Sequence, residues 1–73
     1  MEIKKDEIWR VSTRSFDGII KVLEDIKDTD EDVFFKAEIF EGKTHYQSKE
    51  DLGKGEEISL RTTLTRWREK QNA

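Results

Sequence analysis

Phe16-Asp17-Gly18-Ile19-Ile20-Lys21-Val22-Leu23-Glu24-Asp25-Ile26-Lys27 is the stretch on which the fold turns. Phe16, Ile19, Ile20, Leu23 and Ile26 recur at the spacing of one helical face. Ser15 stands where an N-cap would, since its hydroxyl can accept an orphan backbone N–H. Gly18 lowers helix propensity and allows a start near Asp17 instead. The acidic run Asp28-Thr29-Asp30-Glu31-Asp32 follows and ends the periodic segment. The spacing predicts a helix ending near Asp28.

Upstream, Trp9, Val11 and Thr13 alternate with Ile8, Arg10, Ser12 and Arg14. Period two with aromatic and β-branched residues predicts a strand with one buried face. Residues 1–5 read as a loose lead-in. Downstream, Val33, Phe35, Ala37 and Ile39 share one face, and Phe34, Lys36, Glu38 and Phe40 the other. Glu41-Gly42 then offers a two-residue turn into Lys43-Thr44-His45-Tyr46-Gln47-Ser48. A turn there sets Ile39 against Thr44, Ala37 against Tyr46 and Glu38 against His45. The result is a hairpin over 33–48 with one face mostly apolar.

Residues 49–57 are polar, with Gly53 and Gly55, and read as a loop. Leu60, Leu64 and Trp67 return to helical spacing in the last segment. Ile58, Leu60, Thr62 and Leu64 also alternate, and its three Thr residues favour a strand. A helix, with a short strand at 57–60 before it, is the expectation. Residues 71–73 are expected to fray. The predicted fold is α+β, a two-layer β-α-β-β-α domain over residues 1–73. A three-stranded sheet would carry both helices on its one apolar face.

Composition bounds the function. The chain has 73 residues, 42% of them charged and 33% apolar, with no Cys and no Pro. One small domain with a thin core follows. Disulfides and thiolate metal sites are excluded. No apolar run reaches the roughly 20 residues of a spanning helix. The N-terminus lacks the apolar stretch of a secretory signal, so no membrane role and a cytoplasmic location are expected. The net charge of −3 is segregated, with seven carboxylates in residues 16–32 and a basic stretch from 58 onward.

Few residues suggest chemistry. His45, the one histidine, falls beside Glu38 on a polar hairpin face and reads as a solvated pair. The acidic run resembles the opening of a calcium loop. Counted from Asp28, however, the required Gly and bidentate Glu positions hold Val33 and Ile39. Gly53-Lys54-Gly55 fails the Walker pattern, which needs Ser or Thr after Gly-Lys. No catalytic residue, metal site or cofactor is expected, and the chain is not expected to be an enzyme.

Binding is left. Glu24, Asp25 and Asp28 lie where a helix macrodipole would disfavour them. With Asp30, Glu31 and Asp32 they form a candidate surface for a basic protein patch. Phe34 and Phe40, with Ile8, add apolar groups on the outer sheet face, which could also support homo-oligomers. The primary expectation is a protein-binding adaptor, modulator or inhibitor, including one acting on a nucleic-acid-processing partner. The alternative is a nucleic-acid-binding domain using Arg10, Arg14, Arg61, Arg66, Arg68 and Lys70 on and around the C-terminal helix.

Overall fold

The deciding stretch folds as a strand over Phe16–Val22, not as a helix. The computed structural model describes residues 2–14, 16–27, 32–44 and 53–71. It contains β1 (Ile8–Ser12), β2 (Phe16–Val22), β3 (Val33–Thr44), β4 (Glu57–Thr62) and β5 (Trp67–Gln71), with a 3-10 turn at Leu64–Arg66. The strands form one antiparallel sheet in the order β4-β3-β2-β1-β5. The expected α+β domain, with two helices on a three-stranded sheet, is therefore corrected to a nearly all-β fold.

Both helix expectations fail for one reason: apolar residues there fit two periods at once. Ile20 and Val22 are both fully buried. Two residues apart, they lie on nearly opposite sides of a helix but on one face of a strand. A strand buries Phe16, Ile20 and Val22 together, and β-branched Ile19, Ile20 and Val22 suit it. Ile26 still reaches the core, but through a bridge to Ile3 rather than along a helix. Ile3 is fully buried, so the lead-in expected to be loose is anchored there. Leu60, Leu64 and Trp67 are likewise buried, although they come from β4, the 3-10 turn and β5. Thr62 is buried between them, which matches the alternating pattern of this segment.

The first strand and the inner face of the third follow the pattern expected from sequence. Val11, Phe35, Ala37 and Ile39 are buried, and Trp9 and Val33 pack against them. The hairpin turn at 41–42 does not form. β3 runs straight through Glu41-Gly42, and Gly42 lies opposite Gly18 of β2. Glu38 faces Lys21 and Glu57, while His45 and the return strand beyond Thr44 lie outside the described residues.

The sheet is curled. Phe35 and Trp67 sit three strands apart in the sheet order, about 14 Å at ordinary strand spacing. Their ring centroids are nevertheless only 5.2 Å apart. Trp67 also meets Trp9 edge-on, at 5.6 Å and 83°. Two bulges supply the bend, one between Ile19 and Ile20 and one between Arg10 and Val11. At the first, the strands approach so closely that Gly18 and Gly42 are required. A Cβ on Gly18 would stand 2.2 Å from the Glu41 carbonyl oxygen and 2.4 Å from Gly42 Cα. The Phe16 ring covers the space the two glycines leave.

Gly18→Ala should therefore force β2 and β3 apart. A loss of about 1–3 kcal/mol, the usual range for an overpacked site, is expected as a lower urea midpoint. An unchanged midpoint would show that the strands can separate without cost.

Candidate functional site

A concavity lies on the outer face above the first bulge. This open cleft of about 550 Å³ is lined by Arg10 of β1, Asp17 and Ile19 of β2, Phe40, Glu41 and Lys43 of β3, and Lys54. It lies over the bulge and the close Gly18–Gly42 pairing, with the Phe16 ring on the buried side of the two glycines. Lys54 is held over it by the 53–56 turn. There Gly53 N–H donates to Glu56 Oε2 at 2.8 Å, and Gly55 adopts φ +90°, a conformation that favours glycine. Gly53-Lys54-Gly55 is thus a turn, as its composition suggested. The Lys54 ammonium sits 6.0 Å from the Phe40 ring centroid. Three cations and two carboxylates line the cleft, so it presents both signs to a charged ligand. Among the described residues, no group of three His, Cys, Asp or Glu side chains could hold a metal ion.

The second feature is Phe34, an exposed large apolar side chain, 69% accessible. It lies on the outer face of β3, opposite Arg61 of β4. Arg61 Nε donates to Asp32 Oδ2 at 3.0 Å, so a surface ion pair flanks the ring. Leu23 N–H donates to the Lys36 carbonyl, two residues along β3 from Phe34. The chain then turns away through exposed Glu24 and Asp25, and Asp25 accepts the Lys5 backbone N–H at 2.7 Å. Asp28, Asp30 and Glu31 lie outside the described residues.

The expected outer-face apolar patch does not assemble. Phe40 is half-buried at the bulge, six residues from Phe34, which is about 20 Å along a strand. Half-buried Ile8 pairs with Lys21 on a different row. The expected basic helix face is dispersed as well. Arg14 lies in the β1–β2 turn, Arg10 lines the cleft, Arg66 is on the 3-10 turn and Arg68 is on β5. Arg61 and Lys70 are in ion pairs with Asp32 and Glu7.

Glu7 is a residue whose role pattern reading missed. Its carboxylate accepts from the Lys4 backbone N–H at 2.8 Å and from Trp9 Nε1 at 3.4 Å, and it pairs with Lys70 of β5. It ties the N-terminal turn, β1 and β5 together. The Lys70 bond, then the Lys4 bond, hold its pKa below the ordinary glutamate value, against the opposing effect of burial. No local sequence signal announces this role, because Lys70 is remote along the chain.

A carboxylate with a depressed folded-state pKa contributes stability above its unfolded pKa and loses it as pH falls through the folded one. Wild type should therefore lose stability on acidification below the ordinary glutamate range, and Glu7→Gln should lose less over the same window. Urea midpoints measured across that window check this, and parallel curves would overturn it. No protein-family model, curated protein or solved structure matches the chain, so what it does is read from its own residues.

Proposed function

We propose that this chain is a small non-enzymatic protein-binding module, an adaptor, modulator or inhibitor, that docks through Phe34. The exposure of Phe34 carries this reading. In a core as thin as this one, a phenylalanine left outside gains nothing from folding. Burying it against a partner would contribute about 1.5–3 kcal/mol. The charges around it, Asp32 and Arg61 with Glu24 and Asp25 nearby, contribute less, since exposed pairs are worth about 0–1 kcal/mol. Their part is to orient the encounter and favour a partner with a basic rim around an apolar pocket.

The nucleic-acid alternative has less support. Its six cations lie on five different parts of the fold, and two already hold carboxylates. Phosphate binding depends on cations gathered along one path.

Phe34→Ser tests the proposal, because an exposed site should change stability by no more than about 0.5 kcal/mol. Capture of a partner from nuclease-treated lysate should fall by about tenfold or more. Charge reversal at Glu24, Asp25 and Asp32 should instead slow association and weaken its salt dependence. Undiminished capture by the Phe34 variant would overturn the proposal. Capture lost on nuclease treatment would favour the nucleic-acid reading.

A further inference from the structure

The free edge of the sheet at β4 carries a pattern that fits one partner, a second copy of this chain. We propose that two copies pair through β4, antiparallel and centred on Ser59, to join their sheets into one. This goes beyond the docking role of Phe34 and uses a different surface.

The backbone phase comes first. Ile39 N–H donates to the Glu56 carbonyl at 2.8 Å. Alternation along the antiparallel ladder then makes Ala37–Ile58, Phe35–Leu60 and Val33–Thr62 the bonded pairs. The Leu23 N–H bond to the Lys36 carbonyl agrees, because it shows Lys36 turned the other way, toward β2. Glu57, Ser59 and Arg61 therefore present their N–H and C=O groups away from β3. Among the described residues no strand pairs with that edge. The edge at the other end of the sheet is blunted by a bulge, since β5 pairs with β1 across a register shift. β4 pairs with β3 without interruption from Glu57 to Thr62, so its outer edge is regular.

The side chains then select the register. Pairing two β4 strands about Ser59 sets Ser59 against its own copy, Glu57 against the second copy's Arg61, and Arg61 against its Glu57. Every residue so paired has its backbone groups turned outward, so each pair can exchange both N–H···O bonds. Every opposed charge meets its opposite. Shifting by one pair sets Glu57 against Ser59 and loses the complementarity. Within one copy, Glu57 lies directly opposite Glu38. Lys21 lies across from Glu38 on its other side, and the incoming Arg61, which holds Asp32 within its own copy, would bring a cation to Glu57. The sequence contains no Pro to protect the edge. A two-fold interface of this kind closes on itself and leaves no further edge of β4 to extend.

Sedimentation equilibrium on the full chain tests the dimer. Wild type should sediment as a concentration-dependent dimer. Glu57→Arg sets like charges against each other across the interface while easing the contact with Glu38 inside each copy. It should raise the dissociation constant about tenfold or more. The combined Glu57→Arg and Arg61→Glu exchange should restore dimerisation. Ser59→Pro removes an N–H that faces away from β3. It should leave native tryptophan fluorescence intact yet abolish the dimer. Phe34→Ser should leave the dimer unchanged, which separates this interface from the docking role of Phe34. A monomeric wild type, or a Ser59→Pro chain that still dimerises, would overturn the proposal. A charge exchange that fails to restore association would overturn the register.

Discussion

The contact between Phe35 and Trp67 governs the molecule. The five-stranded sheet has one apolar face, and among the described residues no second layer covers it. Curling the sheet until its third and fifth strands meet makes one face serve as both layers. Trp67 fills the centre of that roll, with Phe35 on one side and Trp9 on the other. Leu64 on the 3-10 turn and the Ile3–Ile26 bridge bring further apolar side chains into the same core. Trp67 Nε1 is buried with no hydrogen-bond partner among the described residues. An unpaired indole N–H costs about 1–3 kcal/mol, which the aromatic contacts around the ring must exceed.

Curling carries its own requirements, and the outer surface reflects them. A sheet bends where strands slip register, so the bulge at Ile19 and Ile20 both turns the core and opens the cleft above it. The close approach of β2 and β3 demands the Gly18–Gly42 pair. The same bend moves Phe40 partly inward and leaves Phe34 on the convex side. Phe34, the ion pair beside it and the free β4 edge thus share one end of the sheet order. Docking of a partner and pairing of two copies would use neighbouring surfaces that share Arg61, which lies opposite Phe34 and on the free edge.

The sequence showed its strands best where only one period was available. The first strand was legible because Trp9, Val11 and Thr13 alternate and nothing there mimics a helix. The inner face of β3 was legible for the same reason. Phe34 was correctly placed on the outer face by that alternation. Its partners were not, because Arg61 lies 27 positions away and is brought opposite only by sheet pairing. The cleft was invisible, since it lies over the Gly18–Gly42 pairing of β2 and β3, and those glycines look like a helix flaw at 18 and a turn at 42.

By itself the sequence determined a small chain with its charges segregated, two strands with one apolar face each, and Trp67 as a residue to be buried. Whether residues 16–27 and 58–70 became helices or strands was decided only by tertiary structure. In both stretches the apolar residues satisfy a period of 3.6 and a period of two, so local preference is nearly balanced. A helix there would bury either Ile20 or Val22, but not both. Pairing of β2 with a strand on each side buries both and gives partners to backbone groups that a lone strand would leave open.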